Sequence, residues 1–244
     1  MPLRAAIFDI EGTLLRRRPG SALERTVEGL RRAHAVLAAA GLPLPDLRTT
    51  FSLVHRELSN AAAGLAFGNF RENSIPALVR SFLKKAFPDA PPEAVEAALR
   101  EWYGPVAAAA VPVPGAREAL EAAAAAGWKR GAAGNSPWGS AFVLRDLEFA
   151  GLAESVDSLV CSADVGYRKP NLFLLQKALA DLGVEGREAV HLGDDPREDV
   201  EAPQELGMLA VVIAPPGSVP RADRTIGSLF EVPALLRELA GRRP

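Results

Sequence analysis

The sequence predicts an α/β protein: a parallel sheet covered by helices on both faces, interrupted after its first strand by a small all-helical domain. Three observations carry this expectation. Short apolar segments without a helical period alternate with helix-forming segments over most of the chain. The apolar segments are hydrophobic throughout, not at every second residue, as strands buried on both faces require. Residues from about 16 to about 111 break the alternation with helical patterns and no convincing strand.

In chain order, LRAAIFD (Leu3 to Asp9) is the first strand, closed by Gly12. LERTVEGLRRAHAVLAAAG, IPALVRSFLKKAF and PPEAVEAALREWYG are helices of the insert, and AFGNFREN (Ala66 to Asn73) is its least regular stretch. AREALEAAAAAG is built of strong helix formers, with Gly127 where a left-handed C-terminal cap belongs. WKRGAAG is read as a strand from its place between helices, and Ser136 before Pro137 reads as a helix start. VDSLVCS and EAVHLGD are further strands. Between them KPNLFLLQKALADLG is a helix with Pro170 near its first turn and Gly183 beyond its end. MLAVVIAPP is a last buried strand, and SLFEVPALLRELAG a closing helix that tolerates Pro233 or is kinked by it.

Composition bounds the function. The chain has 244 residues, 48% apolar and 24% charged, enough for one large domain or a core with a smaller partner. A net charge of −2 gives no general attraction for nucleic acid or acidic membranes. The run Arg16-Arg17-Arg18 reads as a solvated loop. The single cysteine, Cys161, excludes an internal disulfide and a thiolate metal cage, and reads as a small core residue. There is no charged-then-apolar leader and no apolar run long enough to span a bilayer, so a cytoplasmic location is expected.

Ligands of an open parallel sheet sit beyond the carboxyl ends of its strands. Four polar clusters fall at such ends or just past them: Asp9 to Thr13, Gly134 to Ser136, Arg168 to Pro170, and Gly193 to Asp199. Asp9, Asp194, Asp195 and Asp199 gathered in one crevice demand a cation. Carboxylates without His or Cys suit a hard ion, Mg2+ foremost. Lys169 adds a point charge. Gly134 and Asn135, at the head of a helix, offer N–H groups to an anion. Metal, lysine and helix terminus together suit a phosphate.

IFDIEGTLL, AAGNS, GYRKPN and HLGDDPREDV stand in the order of the four motifs of the haloacid dehalogenase superfamily of Mg2+-dependent phosphatases, which this sequence resembles outside the insert. The resemblance implies a Rossmann-like core (residues 1–15 and 112–244) and a helical cap (16–111) that excludes water and chooses the substrate. It implies that Asp9 attacks phosphorus to form an aspartyl-phosphate. Asp194 would ligate the metal with Asp9 and the backbone carbonyl of Glu11, while Asp195 and Asp199 would complete or orient that shell. Lys169 would hold Asp9 and the phosphoryl group, and Asn135, Ser136 and the backbone at Gly134 would bind phosphate.

Two positions depart from the pattern. The family's general acid is an aspartate where this chain has Glu11, whose carboxyl stands about 1.5 Å further out. The family's second-motif Ser or Thr is Gly134 here, which loses one hydroxyl to phosphate. Three functions compete: a phosphatase acting on a small phosphorylated metabolite, a phosphate-binding or regulatory relative with impaired turnover, and a metal-free dehalogenase, which the acid cluster disfavours. His34 and His55 show no ligand spacing, and His191 reads as a hydrogen-bonded core residue. Trp102, Tyr103 and Trp138 read as packing, and Thr13 as a turn residue.

Overall fold

The structure, a computed structural model, describes residues 2–63, 70–215 and 217–241. Strand β1 (Ala5–Phe8) runs into a tight turn and β2 (Leu15–Arg17). Helices α1 (Ala22–Ala39), α2 (Leu47–Ala63), α3 (Ile75–Ala86) and α4 (Pro92–Ala107) follow, and β3 (Ala110–Pro112) returns antiparallel to β2. Then come α5 (Ala116–Ala125), β4 (Lys129–Gly134), α6 (Ser140–Ala150), β5 (Ser158–Cys161), the single-turn α7 (Ser162–Val165), α8 (Phe173–Leu182) and β6 (Ala189–Gly193). Short helices α9 (Pro196–Asp199) and α10 (Glu201–Glu205), β7 (Leu209–Ile213), β8 (Arg224–Ile226) and α11 (Val232–Gly241) complete the chain. No helix among the described residues is long and apolar enough to cross a membrane.

The main sheet is wholly parallel, in the order β5-β4-β1-β6-β7-β8. Its central strand shows why the sequence is apolar without alternation. Ala6 and Phe8 pack into the cluster with α5, α6 and α11, whereas Ala5 and Ile7 point the other way, into the cluster with α8 and α10. Successive side chains of a strand face opposite sides, so burying both sides requires every residue of AAIF to be apolar. The chain builds outward from β1 through β4 to β5, then crosses back to place β6 on the other side of β1. The carboxyl ends of β4, β1 and β6 therefore frame one crevice.

The insert packs around an apolar cluster of Leu30 and Leu37 of α1, Leu83 of α3 and Leu99 and Trp102 of α4, which Phe142 of α6 joins. Helix α1 is capped by Ser21, which accepts from the N–H of Glu24, and α3 by Ser74, with Pro76 in its first turn. Of AFGNFREN, residues 66–69 lie outside the described residues.

Several elements differ from expectation. The two edges of the insert pair as a ribbon, Leu15 with Pro112 and Arg17 with Ala110, too short to announce itself in sequence. β8 is an unforeseen edge strand and α2 an unforeseen helix. Helix α6 starts at Ser140, not after Ser136. The carboxylate of Asp164 accepts from the Ser140 N–H at 3.0 Å and supplies the cap from elsewhere in the fold, while Ser136 turns its hydroxyl to the N–H of Trp138. Helix α8 starts at Phe173, whose N–H donates to the Asn171 side chain. Pro233 is the second residue of α11, where a missing N–H costs nothing, so no kink arises.

Candidate active site

Asp9 follows β1 and stays in its ladder, its N–H donating to Leu192 O at 2.8 Å. The next residues turn sharply: the N–H groups of Leu14 and Leu15 both donate to Ile10 O, and that of Gly12 to Leu15 O. Gly12 has φ +92°, and a Cβ there would lie 2.3 Å from Asp194 Oδ2. Glycine is required on both counts. It lets the β1 turn close onto the acid that follows β6. Thr13, fully buried, donates from Oγ1 to Asp194 Oδ1 at 3.1 Å and so orients that acid.

The same device recurs one layer down. A Cβ at Gly193 would lie 2.1 Å from the Asp199 carboxylate, so glycine lets Asp199 fold back under the end of β6. Asp195, the N-cap of α9, accepts from the Arg197 N–H and pairs with the Arg197 guanidinium at 3.1 Å. Its carboxylate is thereby spent on the helix, and its own N–H donates to Asp199 Oδ2.

Lys169, 2% exposed, joins the two ends. Its Nζ donates to Asp9 Oδ1 at 2.5 Å and to Asp199 Oδ1 at 2.6 Å. Asn135 holds the lysine backbone from both sides, accepting from Lys169 N–H at 2.8 Å and donating to Lys169 O at 3.3 Å; it also donates to Glu198 Oε2. His191, fully buried, reaches Asp199 Oδ1 with Nε2 at 2.8 Å. Burial keeps this imidazole's pKa low. A neutral ring that meets a carboxylate carries its proton on the nitrogen facing it.

Burial pushes the Asp9 carboxyl up to about 7 against the pull of Lys169, with the charge of Asp199 adding to the rise. Asp199 responds oppositely: burial opposes its charge too, but the hydrogen bond from His191 and the charge of Lys169 hold it well below the usual range. Burial would lower Lys169, yet its two carboxylate partners keep it protonated. Burial also raises Asp194 and Glu198.

Asp9, Asp194 and Asp199 each offer an oxygen within 4.8 Å of the others. When all three carboxylates are ionised, the single ammonium of Lys169 against them leaves a surplus of two negative charges. A divalent cation matches that surplus, and an all-oxygen donor set suits a hard ion. Asp199 already spends Oδ1 on Lys169 and His191 and Oδ2 on the Asp195 N–H, which leaves Asp9 and Asp194 the freer ligands.

Glu11 stands apart from this cluster. Its half-exposed carboxylate lies 3.3 Å from Arg17 Nη2. Burial raises its pKa, with Arg17 pulling it back. Arg17 is no solvated loop residue: β2 carries it into a pair with Asp146 at 2.7 Å, and Nη1 donates to Val106 O. Gly134 ends β4 fully within the core, and a Cβ there would lie 2.9 Å from Ile10 Cβ and 3.0 Å from its Cγ1. Ser136 donates its N–H to Ser162 Oγ at 2.8 Å.

The insert reaches this rim. Glu72 N–H donates to Gly166 O, and its carboxylate accepts from Ser162 Oγ at 2.7 Å and Arg168 Nη1 at 2.9 Å. Trp138, Trp102, Tyr103 and Phe142 form one aromatic cluster between α4 and α6. A cavity of about 240 Å³ among α1–α4 is almost wholly apolar and holds none of this chemistry.

Sequence reasoning missed Glu72, Asp146, Ser162 and Glu198. Glu198 lies within HLGDDPREDV but was passed over for the aspartates around it, and the other three lie outside the four motifs. The one available signal was an aspartate, Asp146, in the apolar run of α6, whose Oδ1 is buried without a partner.

Residues 3–207 match the haloacid dehalogenase-like hydrolase family. The chain is 32% identical over 213 residues to the phosphoglycolate phosphatase of Rhodospirillum rubrum, which covers 86% of this chain and 79% of that one. It is 28% identical over 220 residues to haloacid dehalogenase-like hydrolase domain-containing protein 3 of Xenopus laevis, covering 88% and 86%. In fold it is similar to the 2-haloacid dehalogenase of Pseudomonas syringae pv. Tomato DC3000, with a TM-score of 0.61 and 24% identity over 97% of this chain and 99% of that one.

Proposed function

The chain belongs to the haloacid dehalogenase-like hydrolases, and within that family we propose that it is a Mg2+-dependent phosphatase of a small phosphomonoester, working through an aspartyl-phosphate on Asp9. The observation that carries the proposal is the meeting of Asp9, Asp194 and Asp199 with Lys169 at the end of the central strands. The name of the Rhodospirillum rubrum relative, a phosphoglycolate phosphatase, supports a small phosphorylated metabolite as substrate.

Asp9 and Asp194 would hold Mg2+ with the backbone carbonyl of Glu11, and Asp199 would fix the second layer. When bound, the ion would draw charge from the phosphoryl oxygens. Asp9 attacks phosphorus as the P–O bond to the leaving group breaks, and Glu11 gives the departing oxygen its proton. In the second step Glu11 takes a proton from water, the water oxygen bonds to phosphorus, and the bond to Asp9 breaks to release inorganic phosphate. Lys169 offsets the charge at Asp9 throughout. Residues 16–111 act as a cap over the core formed by 1–15 and 112–244, with Glu72 on Arg168 as one fastening.

A second reading, a phosphate-binding relative with slow turnover, is favoured by one observation: the Glu11 carboxylate rests on Arg17. A metal-free dehalogenase would use Asp9 on carbon and has little use for so much negative charge as Asp9, Asp194 and Asp199 gather. The test is phosphate release from a panel of sugar, nucleotide and short-acid phosphates with and without Mg2+. Turnover that needs Mg2+ and falls by roughly four orders of magnitude in Asp9→Asn supports the proposal. Binding without release supports the second reading, and halide release in chelator the third.

A further inference from the structure

We infer that Arg17, Asp146 and Tyr103 are positioning residues that hold a fixed cationic post for Glu11, and that the longer acid is matched to this post. The inference rests on the phosphatase reading and concerns only the proton given to the leaving group.

The post is assembled from three parts of the chain. Arg17 comes from β2, where the insert leaves the core, Asp146 from α6, and Tyr103 from α4 of the insert. Asp146 is fully buried and its Oδ2 takes two strong donors, Arg17 Nη2 at 2.7 Å and Tyr103 OH at 2.6 Å. Arg17 Nη1 donates to Val106 O at 3.1 Å, so the planar fork is pinned at both nitrogens. Tyr103 is 1% exposed and packs on Trp138 and Phe142, which leaves its hydroxyl no solvent to turn to.

The two acids on Arg17 are held unequally. Asp146 is sealed in the core, whereas the Glu11 side chain is 53% exposed and 3.3 Å from Nη2. A half-exposed pair at that distance is weak. Glu11 can therefore leave a guanidinium that cannot follow it. One extra methylene gives the carboxyl a reach that aspartate lacks, and the pinned fork gives that longer side chain a defined resting place. None of the residues that build this post belongs to the four motifs.

The test compares kcat/KM of the Mg2+-loaded full chain on 4-nitrophenyl phosphate, whose leaving group needs no proton, with that on an alkyl phosphate from the panel above. This parameter reports only the steps through leaving-group departure. Arg17→Met is expected to lower the alkyl rate about tenfold or more while leaving the aryl rate within about twofold. Arg17→Lys should recover part of the alkyl rate, and Arg17→Met should add no alkyl loss in a Glu11→Gln chain. Equal losses on both substrates, or full additivity with Glu11→Gln, overturn the inference. Should Arg17→Met not fold, Tyr103→Phe keeps the ring and carries the same comparison, with a selective alkyl loss of about threefold expected and an equal loss on both substrates overturning it. Wild-type protein that releases phosphate from neither substrate defeats the phosphatase reading itself.

Discussion

Glu11 and Gly134 both depart from the motifs of the family, one in the turn after β1 and one ending the neighbouring β4, and the fold treats them differently. At Gly134 the room that a serine would need is filled by Ile10, 2.9 Å from where its Cβ would stand. At Glu11 the longer acid is met by a cation, Arg17, that a buried aspartate holds in place. One departure is closed by packing and the other accommodated by charge. The comparison teaches that reverting a residue to a motif restores function only if its neighbours have not adapted.

The sharpest way to break this comparison is Glu11→Asp. If Arg17 is matched to glutamate, the shorter acid loses its post, and kcat/KM on an alkyl phosphate should fall about ten- to a hundredfold. Steady-state kinetics decides, and a rise would mean that Glu11 is a defect awaiting repair.

Gly134→Ser tests the other half. The added atoms press on Ile10 near its backbone, where little can give, and overpacking of this kind costs about 1–3 kcal/mol. Thermal melts should fall by roughly 2–4 °C for each kcal/mol, with no gain in rate. Adding Ile10→Ala removes the contacts to Cγ1 and Cδ1, and should recover part of the loss non-additively. An unchanged melting temperature with faster turnover would break the packing account.

A smaller effect sharpens the comparison through pH. Asp199 is depressed in the folded state, so its stabilisation is full above its unfolded value of about 3.9 and is lost as pH falls below it. Asp9 is raised to about 7, so its contribution is full below that unfolded value and is lost as pH rises through about 7. On these two groups metal-free protein should therefore be most stable near pH 4 and lose stability as pH rises from there to about 7, and Mg2+ should relieve that alkaline decline. Glu11→Asp should move only the part of this profile that Glu11, itself raised by burial, contributes. Gly134→Ser should shift its alkaline limb, because Ile10, whose backbone N–H supports Asp9, must give way.

Much of the site was legible because its residues end strands. A short apolar run such as AAIF, ended by a turn at Gly12 and set among helical segments, reads as a strand buried on both faces, which puts the first charge after it at a sheet's rim. Asp9 and Asp194 were found in that way and Lys169 from its motif, whereas only the structure shows that Gly12 and Gly193 stand where backbone and carboxylate approach too closely for a side chain. Arg17 was misread because three successive arginines look solvated, and its partner Asp146 lies 129 positions away. Asp195 was grouped with the metal acids by proximity in sequence, but the first turn of α9 claims its carboxylate.

The sequence by itself determined the layers, most of the buried strands and long helices, and the place where acids would collect, since periodicity and burial are local constraints on each segment. Only the tertiary structure decided which acid pairs with which cation, what fills the space beside Gly134, and where Glu11 rests. Those outcomes depend on distances between side chains from different segments, which packing fixes and no single stretch of chain encodes.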